Sequence, residues 1–162
     1  MKNILLPTDF SDFSAAAVEH ASTFAVMYNA RLHVLHVVKD PPSIMPRPSV
    51  AGKVPVAQFA PVEDELNKFV QRWFPGRRGT IQAIKFGLPH KEIVKYAEDE
   101  EVDLIVIATH GRTGLPHLVM GSVAEKVVRF STTPVLTVKP PTLIGLMTQS
   151  GEGREQISEL RG

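Results

Sequence analysis

The sequence contains no cysteine among its 162 residues. That absence excludes a disulfide framework, a thiolate zinc site, a CxxC redox motif and a cysteine nucleophile. An excess of charge of one sign is also lacking, since 18 Lys and Arg stand against 17 Asp and Glu, for a formal net charge of +1. This balance excludes a nucleic-acid binder that depends on charge alone, and we expect no nucleic-acid partner.

Long hydrophobic runs are missing as well. No stretch of about 18 apolar residues occurs, so the sequence predicts no membrane span and no membrane partner. The short apolar run Ile4–Leu6 is followed by Pro7 and, two residues later, by the acidic Asp9, which is not the pattern of a secretory signal. We therefore expect a cytoplasmic protein.

The common catalytic and phosphate-binding motifs are absent. The sequence has no GxxxxGK[ST] and no GxGxxG, which argues against a P-loop enzyme and a Rossmann-type dinucleotide binder. It has no GxSxG and no HExxH, and its six histidines show no other metal-ligand spacing. His110 could act as a general base only with an orienting partner.

What the sequence does contain is an alternation of two hydrophobic patterns within a length that suits one domain. Five short apolar runs are predicted as strands: Asn3–Leu6, Arg31–Val38, Thr80–Phe86, Asp103–Ala108 and Pro134–Val138. Four stretches with helical spacing lie between them, over Phe13–Tyr28, Leu66–Trp73, Ile93–Ala97 and Val123–Phe130. The alternation predicts βαβ units, and hence an α/β domain with a parallel sheet covered by helices on both faces.

The prolines are concentrated in one place. Six of the 13 fall between the second strand and the second helical stripe, and five of these lie in a region from about Lys39 to Ala60 that lacks periodicity. Such long connections are usually functional flaps or flexible insertions. We place the main domain at residues 1–140, with an insert at 39–60. Residues 141–162 are predicted as a tail that is flexible or crosses onto a partner.

In a parallel α/β sheet, ligands bind beyond the carboxyl ends of the strands. Asp9 follows the first strand directly, just before the first helix. One interpretation makes it a cap of that helix. The other places its carboxylate over the sheet edge, where it would accept hydrogen bonds from ribose hydroxyls or a base.

The segment after the fourth strand is the richest in candidate ligand-binding groups. Ser122 to Glu125 form a capping box, which predicts a helix that begins near Val123. Gly121 would let an anion approach the N–H groups of that first turn. Gly111 and Arg112 would add a flexible turn and a bidentate phosphate donor. The segment is therefore a candidate phosphate site, with a plain glycine-rich loop and an ordinary cap as the alternative.

Six segments, in order along Met1 to Lys139, resemble the universal stress protein family: Ile4–Ser11, Leu35–Val37, Gly87–Pro89, Thr109–Gly114, Gly121–Val127 and Thr133–Val138. The resemblance implies a five-stranded parallel sheet of the adenine nucleotide alpha hydrolase-like type. The ATP-binding branch carries G-x2-G-x9-G-[ST], which falls here on Ala108, Gly111, Gly121 and Ser122. Ala108 replaces the first glycine, which matters if that backbone needs positive φ or touches the ligand.

The resemblance also implies roles for individual residues. Asp9 would contact the ribose or base, Pro7 and Thr8 would line the pocket, and the backbone of Val37 would meet adenine. The phosphates would be held by Gly111, Arg112, Gly121, Ser122 and Val123. The implied ligand is ATP, or AMP or ADP, with Mg²⁺ on the phosphates.

The resemblance implies a homodimer formed through the last strand, Val135–Val138, that acts as a nucleotide-dependent regulatory or interaction module in a stress response. We expect no enzymatic activity beyond weak ATP hydrolysis. Two alternatives stay open: a slow ATPase or phosphotransferase, and a nucleotide-free dimeric interaction module.

Overall fold

A computed structural model of the chain describes residues 1–39, 60–77, 79–110 and 120–139. Within them the elements are β1 Asn3–Thr8, α1 Asp12–Met27, β2 Arg31–Val38, α2 Ala60–Trp73, β3 Thr80–Phe86, α3 Pro89–Asp99, β4 Leu104–Ala108, α4 Ser122–Phe130 and β5 Val135–Val138. None of the helices in these ranges is long and apolar enough to cross a membrane.

The five strands form one sheet in the order β3-β2-β1-β4-β5, and every pairing is parallel. This confirms the predicted α/β class and places β5 at a sheet edge. The strand order reverses at β1, which lies between β2 and β4. In folds of this type the crevice at such a reversal is the usual ligand site.

Both faces of the sheet are covered, which explains the near-continuous apolar runs in β1 and β4. The face toward α1 and α2 carries Ile4, Leu6, Leu32, Val34 and Val106. The face toward α3 and α4 carries Leu5, Leu35, Ile105 and Ile107. Successive residues of each strand alternate between the two layers, as the pleat requires.

Several element boundaries differ from the sequence prediction by a few residues, and two of these differences bear on the crevice. Strand β1 continues to Thr8 instead of ending at Leu6, with Pro7 paired opposite Leu35 on β2. On its other side β1 pairs with β4 only at Ile4 and Leu5. The two central strands therefore stop pairing before either of them ends, and this leaves a crevice between their carboxyl ends.

Helix α2 begins at Ala60, six residues before the predicted stripe, so Pro61 belongs to its first turn. Proline is favoured there because the first helical N–H groups have no intrahelical acceptor. The remainder of the predicted insert (residues 40–59) and the predicted tail (141–162) lie outside the described residues.

Candidate ligand-binding site

A cavity of about 570 Å³ lies at the carboxyl ends of β1, β2 and β4. This volume is within the range of small-molecule sites. Eight of the ten predicted site residues line it: Pro7, Thr8, Asp9, Val37, Ala108, Gly121, Ser122 and Val123. The other two, Gly111 and Arg112, lie outside the described residues.

Asp9 is held in a hydrogen-bonded turn between β1 and α1. Its Oδ1 accepts hydrogen bonds from the Ser11 N–H at 3.1 Å and the Ser11 hydroxyl at 2.6 Å. Ser11, not Asp9, is the N-cap of α1, and its Oγ accepts the Ser14 N–H at 3.1 Å. The interpretation of Asp9 as the cap itself is therefore wrong, and its half-buried carboxylate stands on the cavity wall.

Thr8 supports this turn from beneath. Its buried Oγ1 accepts the Phe10 N–H at 3.0 Å and lies 3.0 Å from Ser14 Oγ. The Ser14 hydroxyl donates to the Ser11 carbonyl at 2.8 Å, so the Thr8 hydroxyl is the donor to Ser14. Thr8 therefore lines the cavity while its hydroxyl stabilises the turn.

Ala108 does not occupy a position that requires glycine for its backbone. It is the last residue of β4, pairs with Val138, and is not among the described residues with positive φ. Its methyl group packs in the core cluster on the α1 side of the sheet. The first of the two conditions under which this substitution would matter is therefore not met.

Gly121 is required for steric reasons. Its φ of −70° is open to any residue, but a Cβ here would lie 2.9 Å from the Thr109 carbonyl oxygen. The Gly121 N–H donates to that same oxygen. This contact anchors the start of α4 to the end of β4.

The capping box predicted at Ser122 is wrong. The N-cap of α4 is Gly121, with no side-chain cap, and Ser122 is already the first helical residue. The contact between Gly121 and Thr109 turns the chain one residue earlier than the sequence pattern predicts. The first-turn N–H groups, including those of Ser122 and Val123, have no intrahelical acceptor and carry the positive end of the helix dipole. Because Ser122 and Val123 line the cavity, an anion could be bound there.

Sequence reasoning missed several cavity residues. Lys39 follows β2 directly, so the rule that ligands bind beyond strand ends could have identified it. His36 also lines the cavity, and its position directly before Val37, the residue predicted to meet adenine, could have indicated it. Val62 and Glu65 of α2 also line the cavity, and their contribution depends on how α2 packs, for which the sequence holds no local signal.

His110 lies on the cavity wall, and its Nδ1 is 2.9 Å from the Thr109 hydroxyl oxygen. Over the described ranges, no group of three or more His, Asp or Glu side chains could hold a metal ion.

The structure is a parallel α/β domain whose crevice is lined by a carboxylate, at Asp9, and by the N-terminus of α4. The model of the universal stress protein family matches residues 1–139. The chain belongs to the universal stress protein family.

Curated relatives agree with this assignment. Universal stress protein MJ0577 of Methanocaldococcus jannaschii is 34% identical over an alignment of 154 residues. The alignment covers 85% of this chain and 94% of that protein. Universal stress protein YxiE of Bacillus subtilis is 31% identical over an alignment of 146 residues, and the alignment covers 84% of this chain and 97% of that protein.

Solved structures show the same fold. Universal stress protein UspA from Lactobacillus plantarum superposes with a TM-score of 0.67 at 29% identity, covering 85% of this chain and 97% of that one. A universal stress protein in complex with cAMP superposes with a TM-score of 0.63 at 25% identity, covering 85% and 96%.

Proposed function

We propose that this chain binds an adenine nucleotide, ATP or its relatives AMP and ADP, in the crevice and acts as a nucleotide-dependent regulatory module. One observation carries the proposal: eight residues drawn from four separate parts of the sequence line one cavity of about 570 Å³. The complex of a related universal stress protein with cAMP supports the adenine class.

The chemistry of the walls suggests how the ligand would be oriented. Phosphates are repelled by the Asp9 carboxylate and are favoured at the N-terminus of α4, at Ser122 and Val123. Ribose hydroxyls are donors, which a carboxylate accepts. The apolar wall includes Val37, Ile93 and Ile107 and suits the faces of the base.

Isothermal titration calorimetry with ATP, ADP, AMP and GTP tests the proposal. Asp9→Asn retains an Oδ1 acceptor for Ser11 and removes the charge, so the turn should persist. We expect nucleotide affinity to fall about tenfold, the loss of roughly 1.4 kcal/mol from one charge-assisted hydrogen bond. Asp12→Asn, an exposed change in the first turn of α1 outside the cavity, is the matched control.

The proposal assigns binding, not turnover, as the activity of the site. Phosphate release from ATP over hours, with and without Mg²⁺, measures any turnover. Sustained hydrolysis that Asp9→Asn abolishes and Asp12→Asn preserves would favour the slow ATPase instead. Titrations with and without EDTA test whether Mg²⁺ accompanies the phosphates.

We also propose that two copies associate through β5. This strand pairs with β4 at the edge of the sheet, and Val135, Leu136 and Thr137 are only partly buried. An apolar edge strand is a liability in an isolated domain. Light scattering at micromolar concentration should give the mass of a dimer, and Leu136→Lys should shift it toward the monomer. A wild-type monomer would contradict this assembly.

A further inference from the structure

The turn that carries Asp9 depends on an unusual backbone conformation at the next residue. Phe10 has a φ of +64°, in the left-handed region that bulky residues rarely adopt. Such a conformation costs on the order of 1–3 kcal/mol and persists only where the surroundings fix it. The contacts of Phe10 should therefore show what holds Asp9 in place.

Within the described residues, Phe10 makes one backbone hydrogen bond and two ring contacts, and it packs against the core cluster on the α1 side of the sheet. Its N–H donates to Thr8 Oγ1 at 3.0 Å. Its ring stacks on the His36 imidazole, with centroids 4.2 Å apart and planes 19° from parallel. On α2, Phe69 packs against the same ring at 5.9 Å and 56°.

His36 is itself fixed in orientation. Its Nδ1 lies 2.8 Å from the Thr8 carbonyl oxygen. A carbonyl only accepts hydrogen bonds, so Nδ1 carries the proton and donates. The imidazole thus joins β2 to the end of β1 and presents a flat face to Phe10, while it also lines the cavity.

We propose that Phe10 and His36 are positioning residues that aim the Asp9 carboxylate into the crevice and thereby set how strongly the site distinguishes ribose from its deoxy forms. The inference rests on the proposed function, because it assumes that Asp9 accepts from the sugar. Hydrogen bonds weaken steeply as angle and distance depart from their optimum. A small rotation of the backbone at Phe10, the residue directly after Asp9, would therefore remove the preference for a hydroxylated sugar.

Two variants of each residue separate the contacts. His36→Asn keeps a donor near the position of Nδ1 and removes the ring, whereas His36→Phe keeps a ring and removes the donor. Phe10→Gly removes the ring from a backbone that glycine adopts freely. Phe10→Tyr retains the stacking ring and should behave as the wild type. Matched controls are Phe13→Leu and His20→Asn, both exposed positions on α1 away from the cavity.

The measured quantity is the ratio of the dissociation constant of 2′,3′-dideoxy-AMP to that of AMP. A site that hydrogen-bonds a hydroxyl rejects the analogue lacking it. The loss of one charge-assisted hydrogen bond predicts a ratio of about ten in the wild type. Asp9→Asn keeps a neutral amide near the sugar and loses the charge, so it should reduce the ratio at least about threefold. Phe10→Gly and both His36 variants should reduce it at least about threefold, with the controls and Phe10→Tyr unchanged. Thermal melts identify any variant that fails to fold, and the remaining variants then decide.

The outcomes separate the two proposals. If Asp9→Asn lowers the ratio while the folded Phe10 and His36 variants keep the wild-type ratio, the positioning role is overturned and the proposed function stands. If AMP does not bind the wild type, or Asp9→Asn leaves its ratio unchanged, the sugar contact fails and the positioning role fails with it. A change in melting temperature without a change in the ratio means that the pair is merely structural.

Discussion

Gly121→Ala adds one methyl group at the junction between β4 and α4, and its effect follows from a single contact. The backbone there, with φ −70° and ψ 151°, suits alanine as well as glycine. With open space around it, the substitution would stabilise the fold by about 0.4–1 kcal/mol through the unfolded chain. The Thr109 carbonyl oxygen, 2.9 Å from the added Cβ, should reverse the sign.

The expected magnitude combines three contributions. Relieving the contact moves the Gly121 N–H away from the Thr109 oxygen to which it donates, at a cost of about 1 kcal/mol. Overpacking against a backbone that cannot rotate away costs roughly 1–3 kcal/mol. After subtraction of the unfolded-state gain, we expect a net loss of about 1–3.5 kcal/mol. This lowers the melting temperature by roughly 2–14 °C in a chain of this size.

Urea denaturation followed by circular dichroism measures the free energy of unfolding, and calorimetric titration with ATP measures binding. Ser122→Ala is the control, because Ser122 is exposed and its side chain makes no cap hydrogen bond, so it should change stability by less than about 0.5 kcal/mol. Gly121→Ala should also weaken binding, since the displaced first turn of α4 lines the cavity. A variant as stable as the wild type would refute the steric account of this glycine. Larger residues such as valine should disturb the fold further, so they are not clean probes of binding.

Three further predictions follow from other contacts. His33 is buried, with its Nδ1 2.9 Å from the Tyr96 hydroxyl oxygen, and burial, which outweighs the charge of Glu100, lowers the pKa of His33 below the usual 6.5. Below about pH 6.5 the unfolded chain therefore binds a proton that the folded protein resists, and the free energy of unfolding falls by at most about 1.4 kcal/mol per pH unit. Urea titrations from pH 7 to 5 should give a smaller loss of stability in His33→Asn than in the wild type. Ser11→Ala removes the N-cap acceptor of α1 and should cost about 1 kcal/mol by urea denaturation, whereas equal stability would mean that the cap contributes nothing. The Asp103 carboxylate accepts hydrogen bonds from the N–H groups of Lys2 and Asn3, and these contacts lower its pKa. Asp103→Ala should therefore lower the free energy of unfolding by roughly 1 kcal/mol at pH 7 and by less near pH 3. A loss that does not change with pH would contradict this prediction.

Much of the fold could be predicted because its determinants are local. The runs at Ile105–Ile107 and Val135–Leu136 are apolar since both faces of the sheet are covered, and that pattern is visible in the sequence. The site could be predicted where it follows strand ends, as at Asp9. The start of α4 could not, because the contact of Gly121 with Thr109 joins residues twelve positions apart.

The left-handed backbone of Phe10 is a second feature that the sequence did not indicate. Glycine or asparagine marks such positions in most turns, and an aromatic residue gives no such signal. The conformation is fixed by a ring on β2 and a ring on α2, at His36 and Phe69, so it exists only once the tertiary structure has formed.

The central claim is that the crevice binds an adenine nucleotide, and one titration tests it most directly. Nucleotide-free protein is titrated by calorimetry with ATP, with GTP and inorganic triphosphate as competitors for base and phosphate recognition. We expect saturable binding of ATP at one site per chain, weaker binding of GTP, and loss of affinity in Asp9→Asn. No saturable binding of ATP at millimolar concentration, or equal binding of ATP by wild type and Asp9→Asn, would contradict the account.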